Sequence, residues 1–153
     1  MKGMRRIERQ MERDEAIILL IEGEYGILST SGKDNTPYGV PVSYIFKENN
    51  IYFHCALEGS KLDKISQNPK VCFTVVGKTK VLPDKFSTEY ESVIVLGLAS
   101  IARGLEKKRA LLEIIKKYSP DFIEEGNEYI ERAQDKTIVV KVAIEELTGK
   151  HRL

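Results

Sequence analysis

Histidine and cysteine are scarce in this chain, two of each in 153 residues, and each scarcity closes off a class of function. With only His54 and His151, a multi-histidine metal site has too few ligands, and none is expected. Cys55 and Cys72 lie far apart and form no CxxC pair or cluster of metal-type spacing, so they read as small strand residues. Long apolar runs are missing as well. The longest, Ala16 to Ile21, falls far short of a bilayer span, which argues against a membrane partner. The N-terminus carries charges but no hydrophobic signal core, so the chain reads as cytoplasmic. Net charge is nearly absent: 24 Lys and Arg against 23 Asp and Glu leave +1, with no bulk attraction toward nucleic acid. Near the start, Arg5, Arg6, Arg9 and Arg13 are interleaved with Glu8, Glu12, Asp14 and Glu15, the pattern of a solvated helix face.

Common catalytic signatures are also missing. The chain has no G-x-x-x-x-G-K-[ST] phosphate loop, no G-x-G-x-x-G dinucleotide turn and no G-x-S-x-G nucleophile elbow. Carboxylates are plentiful but scattered along helix faces, so no acid/base pair stands out.

What is present is ordinary globular material, 42% hydrophobic and 31% charged, long enough for one domain over 1–153 with a real core. Apolar spacing predicts an amphipathic helix over about Glu8 to Glu22, with Gly23 as its stop. Strands are expected over Tyr25 to Thr30, Pro37 to Lys47, Ile51 to Ala56, Lys70 to about Val81, Glu91 to Arg103 and Thr137 to Ile144. Helices are expected over Ser60 to Gln67 and Leu105 to Tyr118, with a further short one over Asn127 to Ala133. Short turns join most strands. The fold class is therefore mainly β with flanking helices (α+β), about six antiparallel strands closing into a barrel.

The stretch Ile51 to Gly77 carries the most chemistry. A glycine turn opens a short helix at Ser60 and Lys61, and a helix start presents unpaired N–H groups and a positive dipole end to an anion. A phosphate-bearing cofactor fits that arrangement. The structural reading stands beside it: Ser60 as N-cap, Asp63 closing a capping box, Lys61 solvated. His54 precedes the helix on a strand, either as a structural hydrogen-bonding residue or as a ligand contact. The run Tyr38-Gly39-Val40-Pro41-Val42-Ser43-Tyr44 contains a proline and a glycine and follows Pro37, so it requires an edge or bulged strand. That run serves either as a protected edge or as a backbone surface, around Val40 to Ser43, for a planar ligand.

The Y-G-V-P-V-S-Y strand, F-H-x-A-x-E-G-x-K-L-D, N-P-K-V-C-F-T-V-V and the closing T-G-K together resemble the pyridoxamine 5'-phosphate oxidase-like split-barrel flavoproteins, in particular the nitroimidazole-resistance group. The resemblance covers nearly the whole chain. It implies an FMN-binding split β-barrel homodimer with the cofactor at the subunit interface. Carried onto this sequence, Val40, Pro41, Val42 and Ser43 line the isoalloxazine ring, and His54, Ser60 and Lys61 lie toward the ribityl phosphate. Many relatives carry a histidine where Ser60 stands, which implies fewer phosphate donors here. The resemblance also implies that Phe86 to Glu91 comes from the partner subunit and that Lys150 approaches from the tail. The implied activity is electron transfer from a nicotinamide donor through FMN to a small acceptor such as a nitroaromatic. The alternatives are a flavin- or haem-binding carrier or sensor of the same fold, with His54 or His151 as axial ligand, and a cofactor-free structural dimer.

Overall fold

Pro37 through Lys47 alternates as one strand would, yet the chain breaks it in two. The structure, a computed structural model, describes residues 2–153. Its strands are β1 (Gly26–Thr30), β2 (Tyr38–Val42), β3 (Ile45–Lys47), β4 (Asn50–Cys55), β5 (Lys70–Leu82), β6 (Ser87–Ala102) and β7 (Ile138–Arg152). They form one sheet in the order β2-β1-β5-β6-β7-β4-β3, antiparallel at every pairing. The strand expected over Pro37 to Lys47 thus supplies both edges of the sheet, joined only by Ser43 and Tyr44. Such a connection requires the sheet to roll up. The edge strands β2 and β3 do not pair, so the roll is a split barrel of seven strands and the expected closure does not occur.

Two layers of core follow from strand alternation. Inward residues Leu28, Ile51, Phe53, Phe73, Val75, Val93, Val95, Val140 and Val142 fill the barrel. Helix α1 (Arg13–Glu22) adds Ala16, Leu19 and Leu20 to this cluster. A 3-10 turn over Ile7–Arg9 replaces the first turn of the longer helix expected there. On the outside, Ile45, Tyr52, Ala102 and Val139 pack against α3 (Gly104–Tyr118) and α4 (Ile123–Ala133) through Ala110, Leu111, Ile114 and Ile130. α4 starts four residues earlier than expected. The short helix α2 (Ser60–Gln67) lies where the sequence puts it.

The tail also departs from expectation. β7 runs on to Arg152, because β6 pairs with it along its whole length through a register shift at Leu96/Gly97. Gly97 fits there because a Cβ would run into the Ala143 carbonyl. β5 and β6 extend together past a second irregularity at Val76/Thr79 into a projecting hairpin, whose tip holds Phe86 in a left-handed conformation, 97% exposed.

Candidate functional site

β2 is an edge strand, as its proline and glycine require: β1 pairs with one side, and the other side borders the split. Val40 and Val42 turn inward onto the barrel core, while Pro41 and Ser43 are exposed. Across the split, Cys55 at the end of β4 and Leu62 of α2 are half-buried against the same core. The lips of the split are therefore β2 on one side and the β4–α2 corner on the other. Apolar walls and an open backbone edge suit a planar ligand.

The start of α2 differs from the expected capping box. Gly59, at φ 153°, is the N-cap, and Ser60 is the first helical residue. No side chain caps the helix; the Gly59 carbonyl accepts from Asp63 N–H at 3.1 Å. Glycine at the cap removes the side-chain oxygen that would have satisfied an N-terminal amide, so those amides stay available to an outside acceptor. Ser60 and Lys61 face different ways. Ser60 lines a groove of about 580 Å³ with Lys33, Asp34, Asp63, Lys64 and Gln67. Lys61 lies on the Cys55 side: burial pushes the Cys55 thiol up, and the Lys61 ammonium pulls it the other way.

His54 does not join them. Strand alternation turns it to the helix-covered face, opposite Cys55, where it lines an apolar crevice of about 40 Å³ with Leu111, Ile114, Ile130 and Thr137. Its ring keeps one side open, yet the helices desolvate it enough to hold its pKa below the ordinary 6.5. Lys150 lies on the other exposed flank. It sits opposite Ser92 in the ladder, with its ammonium 5.8 Å from the centre of the Tyr90 ring. In sheet order its strand, β7, lies four strands from β2. The flank it occupies carries half-exposed apolar residues, Ile94 at 40% and Leu98 at 39%, with no helix over them. His151 pairs with Glu91 in the same ladder.

Cys55 and Cys72 are both free and half-buried. They do not meet: Cys55 packs on the barrel core, whereas Cys72 lines an outer groove with Ser29, Lys70 and Leu96. Among the described residues no cluster of three or more His, Cys, Asp or Glu forms a metal site. Likewise, no described helix is long and apolar enough to cross a membrane.

Sequence reasoning missed a cluster at the crossover. Tyr44 is fully buried, and its hydroxyl donates to the Leu20 carbonyl at 2.5 Å. Lys117 donates to the carbonyls of Gly23 at 2.6 Å and Tyr44 at 3.0 Å, with its ammonium 4.1 Å from the centre of the Tyr44 ring. Burial pulls Lys117 down to about 8 and drives the Tyr44 phenol up. The exposed tyrosine next door, Tyr118, accepts from the Tyr44 N–H at 3.0 Å and donates to the Glu24 carbonyl at 2.5 Å. More than 70 residues separate Lys117 and Tyr118 from the backbone groups they hold, so no local pattern signals them.

With the geometry in hand, comparison places the chain. The sequence profile described as pyridoxamine 5'-phosphate oxidase matches residues 12–151. Among curated proteins none matches significantly. Solved structures share the fold at low identity. A candidate 5-nitroimidazole antibiotic resistance protein from Bacteroides thetaiotaomicron superposes with TM-score 0.79 at 23% identity, covering 93% of this chain and 86% of that one. A conserved hypothetical protein from Mycobacterium tuberculosis gives 0.82 at 18%, covering 98% and 91%. The FAD and heme binding protein from Mycobacterium smegmatis gives 0.81 at 15%, covering 94% and 73%.

Proposed function

This chain belongs to the pyridoxamine 5'-phosphate oxidase family, and from that premise we propose that it is a flavoprotein that holds FMN in the split between β2 and the β4–α2 corner. The observation that carries this reading is the pairing of an open backbone edge at Val40 to Ser43 with an uncapped helix start beside Lys61. Val40 and Val42 give the ring system apolar support, and the backbone of Pro41 and Ser43 faces its polar edge. At the other end the free amides at the start of α2 donate to the phosphate and the Lys61 ammonium balances its charge, with the Ser60 hydroxyl on the adjoining face of the same helix start. The sizes and chemistry of these groups fit a ribityl phosphate.

The cofactor supplies the redox chemistry when bound, carrying electrons from a nicotinamide donor to a small acceptor such as a nitroaromatic. The chain's part is to bind, orient and keep water from the ring. The titratable side chains placed at the split are the Cys55 thiol and the Lys61 ammonium, and the redox chemistry belongs to the cofactor. Solved relatives of this fold include proteins described as binding FAD.

The second subunit completes the proposal. An uncovered flank bearing Ile94, Leu98 and Val76 suits an isologous contact with a second copy. Such a contact brings Lys150, which shares the outer face with Ser92 and Ile94, toward the partner's cofactor. The haem alternative has weaker support, since the crevice beside His54 is far smaller than a porphyrin.

Anaerobic mixing of FMN-loaded protein with NADH or NADPH tests the reductase reading. Bleaching of the flavin absorbance with either donor is the expected result. A flavin that stays oxidised with both donors makes the protein a carrier or sensor.

A further inference from the structure

Tyr44 belongs to no strand, so neither its N–H nor its C=O has a ladder partner, and buried backbone groups require partners from somewhere. Both come from consecutive side chains at the end of α3. Tyr118 accepts the N–H, and Lys117 donates to the C=O. The same two side chains hold the end of α1, through the carbonyls of Gly23 and Glu24. The Tyr44 ring is fixed a third way, edge-on against Phe73 with centroids 4.9 Å apart and its hydroxyl bonded to Leu20. Gly23 is part of this fit, because a Cβ there would strike the Tyr44 hydroxyl. The cluster contains no carboxylate paired with Lys117 among the described residues; its acceptors are two carbonyls and the faces of two tyrosine rings.

We infer that Lys117 and Tyr118 are positioning residues for the flavin cleft: by clamping the backbone of Tyr44 to the end of α1, they fix the crossover that carries Val42 and Ser43 and so set the width of the split. The inference rests on the flavin reading above. Its physical basis is that the crossover is the single covalent tie between the two edges of the sheet. An edge strand bonded on one side only has little else to hold its free lip at a set distance from α2. A planar ring between the lips binds best when that distance is preset, since ordering the lip on binding would cost affinity. Neither side chain touches the cofactor in this account. They act through Tyr44 and then Ser43.

The test measures FMN affinity by fluorescence quenching for wild type, Tyr118→Phe, Lys117→Met and the control Ile114→Val, with a melting curve for each. Ile114 sits in the same helix and shares the outer core layer with Ile45 and Ile130, but its apolar side chain bonds to no backbone group of the crossover. Tyr118→Phe and Lys117→Met are expected to raise the FMN Kd about three- to tenfold, the range that one lost hydrogen bond gives. Ile114→Val is expected to lower Tm with the Kd unchanged within about twofold. Amide exchange in flavin-free protein reads the clamp itself: the Tyr44 N–H should exchange several-fold faster in Tyr118→Phe. If Lys117→Met does not fold, Tyr118→Phe, which removes one oxygen, carries the test. Wild-type affinity in the variants, or equal weakening in Ile114→Val, overturns the inference while leaving the flavin reading standing. A wild type that binds no FMN overturns both.

Discussion

Val42 ends one edge of the sheet and Ile45 begins the opposite edge, with two residues between them. Three peptide steps span at most about 11 Å. Laid flat, the two edges of a seven-stranded sheet would stand about 29 Å apart. The crossover therefore forces the sheet to curl almost into a barrel. Because β2 and β3 still do not bond to each other, a slot remains along β2, and that slot is the candidate site.

Tyr44 closes this crossover, and its buried hydroxyl is a direct test of the geometry. Tyr44→Phe keeps the ring against Phe73 but leaves the Leu20 carbonyl without its donor. The expected cost is about 1–3 kcal/mol of unfolding free energy, read from urea melts. A variant as stable as wild type would show that the hydroxyl contributes nothing there.

His54 makes the fold sensitive to acid. Desolvation by α3 and α4 lowers its folded-state pKa below the ordinary 6.5. The unfolded chain then takes up a proton more readily than the folded one. Stability is unaffected above about pH 7, falls as pH drops through 6.5, and levels off below the lowered folded value. His54→Gln should flatten this part of the Tm profile between pH 7 and 5. An unchanged slope in that variant would assign the acid loss to other groups.

Lys61 tests the phosphate end of the site. If its ammonium faces the cofactor phosphate, Lys61→Ala removes a charge-assisted contact of about 1.5–3 kcal/mol and weakens FMN roughly ten- to a hundredfold. The loss should shrink as salt rises, since the residue is not deeply buried. Equal FMN affinity for the two proteins would remove Lys61 from the site.

Much of this fold is legible along the chain because local chemistry decides it. Gly59 opens α2 and Asn68-Pro69 closes it, so its bounds can be read directly. The break between β2 and β3 cannot be read this way. Val40, Val42 and Tyr44 all face the barrel core, so the alternation of a single strand runs unbroken through the crossover. The trace it leaves is that Tyr44 and Ile45 are buried in succession, one in each core layer. The tail strand is hidden for a related reason. The register shift opposite Leu96/Gly97 breaks the period at Glu145-Glu146, and only pairing with β6 shows that the strand resumes.

The site was partly legible. Lys61 lies on the Cys55 side of α2, whereas Ser60 opens onto a groove with Lys33, Asp34 and Lys64. His54 is close to them in sequence, but strand parity turns it to the other face. Lys117 and Tyr118 carried no signal at all, since their role depends on partners far away in the chain.

The absorbance spectrum of freshly purified protein, followed by heat release and identification of the chromophore, reads directly whether the split holds a flavin. Flavin bands near the visible–ultraviolet boundary and FMN in the supernatant are expected. A colourless protein that also leaves the fluorescence of added FMN unquenched would contradict the flavin reading.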